Sequence, residues 1–206
     1  LDDISALTLS GNVFTGNTGA RAGAARLEDI DSLTAKNNTL CNNDASSSYG
    51  GAIYLEQGGS TSSTWTNNVF VENTASTDGG AVYSDSNDVS FINNHFLGND
   101  AGSDGGALRF IDSDFTFRNN LVAYTTDGDG IDATWSSSSS FSMDYNNWYN
   151  NTSSNTAGSL SSGSLGTNSL FLDPKLSDYT RDGNCGNDEY WPSASSPLID
   201  AGDPAS

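Results

Sequence analysis

Three aspartates stand close together in a glycine-rich stretch, Asp127, Asp129 and Asp132, where the sequence reads Asp-Gly-Asp-Gly-Ile-Asp. Closely spaced carboxylates in a flexible turn favour a hard cation, and Ca²⁺ takes about six to eight oxygen ligands. The sequence therefore predicts a calcium site at these residues, with a solvated acidic turn as the alternative. A second acidic group follows nearer the C-terminus, at Asp178, Asp182, Asp188 and Glu189.

A row of basic and aromatic residues recurs at equivalent positions of a repeat: Arg26, Tyr54, Tyr83 and Arg109, followed by Asp132. Guanidinium groups and aromatic rings that stack along an axis attract each other as cation–π and aromatic pairs. The row therefore either stabilises the fold as a ladder or forms a binding surface for a glycan or a protein partner.

Residues for catalysis are sparse. A polysaccharide lyase needs a base, and a glycosidase needs paired carboxylates. Arg109 near Asp132 is the nearest arrangement in the sequence, and arginine is a poor base at neutral pH. The single histidine, His95, falls in a variable outward row and is expected at the surface. We therefore expect a protein that is not an enzyme, with a polysaccharide-active enzyme as the alternative.

The charge of the chain restricts its partners. It has 206 residues with 26 acidic and 7 basic side chains, a net charge of −19. Because basic contacts to phosphate dominate nucleic-acid affinity, no nucleic-acid partner is expected. No stretch approaches the ~18 apolar residues of a membrane span, so no membrane insertion is expected. Cys41 and Cys185 are either a disulfide or two separate thiols.

A repeat of roughly 26 residues organises these groups. Six segments align on an asparagine, with a hydroxyl residue four positions earlier in each and a large apolar residue two positions later. The asparagines are Asn12, Asn38, Asn68, Asn94, Asn120 and Asn146. The hydroxyl column is Thr8, Thr34, Thr64, Ser90, Thr116 and Ser142. A flat hydroxyl column suits ice or a crystalline polymer, but strand propensity on an exposed face explains it equally.

Other positions of the repeat also carry the same residue type from coil to coil. A second asparagine column is Asn17, Asn43, Asn73, Asn99 and Asn151, interrupted by Thr125. Small residues mark another strand in each coil, as in Gly50-Gly51-Ala52-Ile53 and Gly79-Gly80-Ala81-Val82. Alternating apolar residues at strand period, with the same residue type from coil to coil, predict stacked strands.

We therefore predict an all-β fold, a right-handed parallel β-helix of about six to seven coils. The coils are expected over residues 1–174, with a bulged loop at 56–62, a longer excursion at 152–168 and a last strand at 169–172. An irregular closing segment of the same domain is expected over residues 175–206. Because little precedes Leu7 to cap the first coil, stacking of copies end to end is expected.

The repeat resembles that of chlamydial polymorphic outer membrane proteins and related secreted bacterial β-helix proteins. The resemblance rests on Gly-Gly-Ala followed by an aliphatic residue, and on Phe-x-x-Asn at 14–17, 70–73 and 96–99. It implies a bacterial protein that is secreted or displayed on the cell surface, with an adhesive or structural role. We therefore expect a non-catalytic adhesin, with copies of itself or a glycan as partners and no cofactor except Ca²⁺. A carbohydrate-binding or carbohydrate-cleaving module is the alternative.

Overall fold

Parallel strands stack into a solenoid in the computed structural model, which describes residues 1, 4–56, 62–135 and 139–203. Each of six coils gives one strand to each of three six-stranded sheets. Sheet 1 contains β1 (Leu7–Ser10), β5 (Ser32–Lys36), β9 (Ser62–Thr66), β13 (Asp88–Ile92), β17 (Asp114–Arg118) and β20 (Phe141–Asp144). Sheet 2 contains β2 (Val13–Thr15), β6 (Thr39–Cys41), β10 (Val69–Val71), β14 (His95–Leu97), β18 (Leu121–Ala123) and β21 (Asn147–Tyr149).

The third face of the solenoid is sheet 3. It contains β4 (Ala25–Glu28), β8 (Ile53–Glu56), β12 (Val82–Asp85), β16 (Leu108–Ile111), β19 (Ile131–Thr134) and β22 (Thr156–Gly158). A four-stranded short sheet lies between sheets 2 and 3, formed by β3 (Thr18–Gly19), β7 (Asp44–Ala45), β11 (Thr74–Ala75) and β15 (Asp100–Ala101). The predicted right-handed parallel β-helix is therefore confirmed.

The observed register matches the sequence alignment residue by residue. Thr34 pairs with Thr64, Thr64 with Ser90, and Ser90 with Thr116, so the predicted hydroxyl column is continuous across sheet 1. The loop predicted at 56–62 falls mainly on positions 57–61, which lie outside the described residues, while Glu56 and Ser62 belong to β8 and β9. Identical spacing thus places identical side chains above one another, about 4.8 Å apart.

Apolar side chains from all three sheets fill the interior. Phe70 stacks on Phe96 at 4.8 Å between ring centroids, and Phe96 packs against Phe117 at 5.9 Å. Trp65 and Trp148 are also fully buried. Aromatic rings carry a large apolar area, so a narrow interior is filled by few residues. This explains how a chain with only 34% hydrophobic residues forms a core.

Two buried asparagine ladders run along the solenoid. In the first, the side-chain amide of Asn68 donates from Nδ2 to Oδ1 of Asn94 at 3.0 Å, and the Asn94 amide donates to Oδ1 of Asn120 at 3.1 Å. The same oxygen of Asn94 also accepts the backbone N–H of Asn68 at 2.9 Å. Equivalent bonds join Asn43 to Asn73 and Asn73 to Asn99 in the second ladder. Each buried amide is therefore satisfied by its neighbours and by turn backbone.

The paired glycines are required by close contact between coils. A Cβ atom added to Gly80 would lie 2.0 Å from the carbonyl oxygen of Gly106, and one added to Gly51 would lie 1.9 Å from that of Gly80. Their preceding neighbours Gly50 and Gly79 adopt φ of +69° and +68°, a left-handed conformation that glycine enters without penalty. The second glycine of each pair, Gly51 or Gly80, therefore cannot be replaced by a larger residue without a clash with the next coil.

Gly11 offers a contrasting case, because it has φ of +66° and open space around its Cα. Its equivalents in the next four coils are asparagines with φ between +54° and +59°: Asn37, Asn67, Asn93 and Asn119. Asparagine tolerates this conformation and has less freedom than glycine in the unfolded chain. We expect Gly11→Asn to leave the free energy of unfolding unchanged or to raise it by up to about 1 kcal/mol. Urea titration measures this, and a loss above about 1 kcal/mol would contradict the assignment of this turn row.

The two ends of the solenoid differ. Leu160 and Leu165 of the segment after β22, which includes a 3₁₀ turn (η1, Ser162–Leu165), are buried against the sixth coil. The predicted strand at 169–172 is reduced to a single bridge between Leu170 and Asn147. At the other end the inward residues Leu7, Leu9 and Phe14 are half-buried, whereas the equivalent residues of the second coil are buried.

The C-terminal segment folds back along sheet 2. It contains an antiparallel pair, β23 (Leu176–Asp178) and β24 (Glu189–Pro192), where the sequence suggests only irregular structure. A disulfide joins Cys185 in this segment to Cys41 in β6, across 144 residues. Tyr190 packs with Val69, Leu97 and Leu121 of sheet 2 in a second apolar cluster. Sheet 2 therefore has an apolar outer face that the C-terminal segment covers.

Candidate functional site

The row of basic and aromatic residues forms a continuous ladder on sheet 3. Tyr54 pairs with Tyr83 in register, and their rings stack at 5.2 Å with an interplanar angle of 1°. Tyr49 covers Tyr83 at 4.6 Å, and the guanidinium of Arg26 lies 5.8 Å from the Tyr54 ring. Only 4% of Tyr54 and 8% of Tyr83 are exposed. The faces of these rings are thus occupied by protein, which supports the ladder interpretation over an open binding surface.

Arg109 and Asp132 continue this ladder as a buried ion pair. Arg109 also lies 3.6 Å from a carboxylate oxygen of Asp104. Arginine is a poor general base, and this guanidinium is engaged by two carboxylates. The nearest arrangement to a catalytic pair in the sequence is therefore a structural contact in the fold.

The calcium site expected at Asp127, Asp129 and Asp132 is not supported. Asp127 accepts the backbone N–H of Gly128 at 3.1 Å, Asp129 accepts the hydroxyl of Ser154 at 2.8 Å, and Asp132 faces Arg109. Among residues 1, 4–56, 62–135 and 139–203, which the structure describes, no three His, Cys, Asp or Glu side chains are placed to bind a metal ion together. The close spacing of the three aspartates in sequence does not bring them together, because the alternation of side chains in β19 directs Asp132 towards Arg109 in the ladder.

Carboxylates of the second acidic group also accept hydrogen bonds from the backbone of their own segment. Asp188 accepts the backbone N–H of Thr180 at 2.9 Å, and Asp182 accepts the backbone N–H of Asn184 at the same distance. These carboxylates satisfy main-chain donors in the C-terminal segment. Their engagement explains the cluster without a cation.

His95 is wrongly predicted as a surface residue. It points outward from the solenoid, but the C-terminal segment covers it, and its Nδ1 atom is buried without a hydrogen-bond partner. Its ring lies 5.7 Å from that of Trp191. Burial in this apolar contact lowers the pKa of His95 to about 4, although the backbone of Tyr190 partly opposes the shift.

This shift predicts a pH dependence of stability. Because the pKa of His95 is about 4 in the folded state and about 6.5 unfolded, the unfolded chain takes up the proton first as pH falls. The contribution of His95 is complete above about pH 6.5 and is lost between pH 6.5 and 4, up to about 3 kcal/mol. His95→Leu, which repeats the residue type of Leu121 in the next coil, should lack this component. Equal pH slopes for both proteins in denaturant titrations would contradict the prediction.

Sheet 1 carries a shallow groove of about 390 Å³, here called the hydroxyl groove. Its floor includes the hydroxyls of Thr64, Ser90, Thr116 and Ser142. Asp88 and Asp114 line one side and are exposed. The predicted outward hydroxyl column is thus present as an accessible row of polar groups parallel to the solenoid axis.

A larger cleft was missed from the sequence. The C-terminal cleft has a volume of about 520 Å³ and lies between the turns of coils five and six and the folded-back segment. Its lining includes Tyr124, Asn150, Asp173, Lys175, Tyr179 and Arg181. One signal was available, since Tyr124 has φ of +66° at a position where the other coils carry Gly16, Asn42, Glu72, Gly98 and Asn150. A large aromatic residue in such a row indicates a role beyond the turn.

The stacked coils, matched register and asparagine ladders define a right-handed parallel β-helix repeat protein. Residues 1–107 match a family model described as periplasmic copper-binding protein (NosD). The match covers just over half of the 206 residues, and the chain belongs to this family. The search of curated proteins found no match, and neither did the search of solved structures. The resemblance to polymorphic outer membrane protein repeats stays a prediction.

The residues of this chain do not fit a copper site. Copper in proteins is bound chiefly by imidazole, thiolate and thioether groups. The whole sequence has one histidine, one methionine and two cysteines. The cysteines form the disulfide, His95 is covered by the C-terminal segment, and Met143 is buried in the core.

No helix among the described residues is long and apolar enough to cross a membrane.

Proposed function

We propose that this chain is a non-catalytic, extracytoplasmic β-helix with a structural and adhesive role. One observation carries the proposal: the polar groups that a catalytic site would need are already engaged in ladders along the axis. Arg109 faces Asp132, the buried asparagines bond to one another, and Asp129 holds Ser154. Such groups stabilise a rod and leave its outer faces for contact.

Two findings support a location outside the cytoplasm. The family is described as periplasmic, and a disulfide joins Cys41 to Cys185. Disulfides persist in oxidising compartments and are rare in the cytosol. Secretion to the cell surface, as the sequence predicted, stays a proposal.

The adhesive role is tested by incubating the full chain with insoluble chitin, cellulose, peptidoglycan and pectin. We expect retention on at least one polymer, with no new reducing ends and no unsaturated products. Release of either product would favour the alternative, a polysaccharide-degrading enzyme. Failure to bind any polymer would remove adhesion to glycans.

Stacking of copies at the first coil is a second candidate function. It is favoured by Leu7, Leu9 and Phe14, which are half-buried in the first coil whereas their equivalents Leu33, Ala35 and Leu40 in the second coil are buried. Leu160 and Leu165 cover the opposite end, so head-to-tail growth requires that their segment be displaced. Electron micrographs of the concentrated protein test this candidate, since filaments or end-to-end pairs would support it and dispersed particles would contradict it.

A further inference from the structure

We propose that the C-terminal cleft binds a neutral saccharide. The inference rests on the proposed adhesive function and names its ligand class and location. The cleft volume of about 520 Å³ falls in the range of roughly 300–1,000 Å³ found for small-ligand sites. Its walls come from two parts of the chain that are far apart in sequence, the turns of coils five and six and residues 173–181.

Two tyrosines form the apolar part of the cleft. The rings of Tyr124 and Tyr179 lie 5.4 Å apart with an interplanar angle of 30°, and both are half-buried. Tyr149 and Tyr190 pack behind them at 5.7 and 6.3 Å. Unlike Tyr54 and Tyr83, which are almost fully buried, both of these rings keep part of their surface open to the cleft. The exposed part of a tyrosine ring is apolar with a polar edge, which suits the C–H face of a pyranose with its peripheral hydroxyls.

Polar groups surround these rings. Asn150 is exposed in the cleft, and its amide forms no side-chain hydrogen bond among the described residues. Thr152 donates to the carbonyl of Thr125 at 2.9 Å and Thr126 to Asp100 at 2.9 Å, which leaves both hydroxyl oxygens as acceptors. An amide that donates and accepts, beside hydroxyl acceptors, matches the mixed donors and acceptors of a sugar.

The charges of the cleft favour a neutral ligand. Arg181 is ion-paired with Asp100, and the exposed Lys175 lies two residues from the exposed Asp173. With Asp100 included, the two cations at the cleft are balanced by two carboxylates, and the chain as a whole carries −19. An anionic sugar would approach against this field, whereas a neutral sugar is unaffected by it.

The disulfide prepares the cleft for binding. Cys185 lies four residues after Arg181 and is joined to β6, so the segment that supplies Tyr179 is fixed against the solenoid. A ligand that meets fixed walls loses less free energy to ordering the protein.

The test uses the full chain and immobilised neutral oligosaccharides of one to six glucose, galactose, mannose, xylose or N-acetylglucosamine units, with uronate oligomers in parallel. Binding constants of any neutral hit are then measured by calorimetry for the unaltered protein and two variants. Tyr124→Asn removes a ring from the cleft and keeps a residue that Asn42 and Asn150 show is accepted at this turn. Tyr145→Asn makes the same change in the other turn row, where Asn37, Asn67, Asn93 and Asn119 stand, outside the cleft.

We expect at least one neutral saccharide to bind, Tyr124→Asn to weaken it tenfold or more, and Tyr145→Asn to leave it unchanged. Equal affinity of all three proteins would overturn the site, while retention on polymers in the earlier assay would leave the adhesive function standing. Binding of uronates alone would overturn the neutral class. No binding to any saccharide or polymer would remove the site together with glycan adhesion. Melting curves of both variants establish that they are folded.

Discussion

Replacement of Asn94 by alanine is expected to lower the free energy of unfolding by about 4 kcal/mol. Its Oδ1 accepts two N–H groups of Asn68, and its Nδ2 donates to Asn120 and to the carbonyl of Trp65. Each buried group left without a partner costs about 1–3 kcal/mol, and alanine offers none. The loss is measured by urea denaturation followed by circular dichroism.

Asn12→Ala is the matched control. Asn12 begins the same ladder, is exposed, and loses a single side-chain bond, from Nδ2 to Asn38 at 3.0 Å. We expect a loss of about 1 kcal/mol or less from this variant. Similar losses for the two variants would show that the ladder is not cooperative and that its buried amides are no more important than an exposed one.

Removal of the disulfide by Cys41→Ala with Cys185→Ala should cost about 4–5 kcal/mol of stability. The bond closes a loop across 144 residues, and the loss of chain entropy in the unfolded state grows with the logarithm of that length. Alanine is compatible with this column, since Ala123 occupies the equivalent position in β18. Thermal and urea denaturation of the two proteins give the difference.

Reduction of the unaltered protein gives an independent comparison, because it breaks the same bond without changing a side chain. The reduced protein and the double variant should unfold at the same urea concentration. If the oxidised protein unfolds at that urea concentration too, then the C-terminal segment is held by its apolar contacts alone and the disulfide contributes nothing measurable.

The repeat was predictable because each of its positions has a single physical requirement. Asn68 must satisfy turn backbone in an enclosed space, Phe70 must fill the interior, and Gly80 must allow close approach of Gly106. These requirements recur in every coil, so the same residue types recur in the sequence at the same spacing. Spacing alone therefore predicted the strand register and the direction of the side chains.

The covering of sheet 2 was not predictable in this way. Residues 173–203 appear once in the chain, and their position depends on contacts with strands far away in sequence, such as Tyr190 with Leu97 and Cys185 with Cys41. His95 was misjudged because strand alternation gives the direction of a side chain but not what lies over it. The calcium prediction is not supported for a related reason, since neighbours in sequence such as Asp129 and Asp132 face different partners.

The asparagine ladders give the solenoid an electrical polarity. From Asn38 to Asn120 in the first ladder, each amide donates from Nδ2 to the asparagine of the next coil and accepts at Oδ1 from that of the previous coil. Their dipoles therefore add in one direction, as peptide dipoles do in an α-helix. Within the described part of the chain, the Oδ1 atoms of Asn12 and Asn17 accept no hydrogen bond. A neighbour that buries these two oxygens must supply hydrogen-bond donors to them. A neighbour whose asparagine amides point the same way supplies them from Nδ2, so the ladder would continue in a single direction.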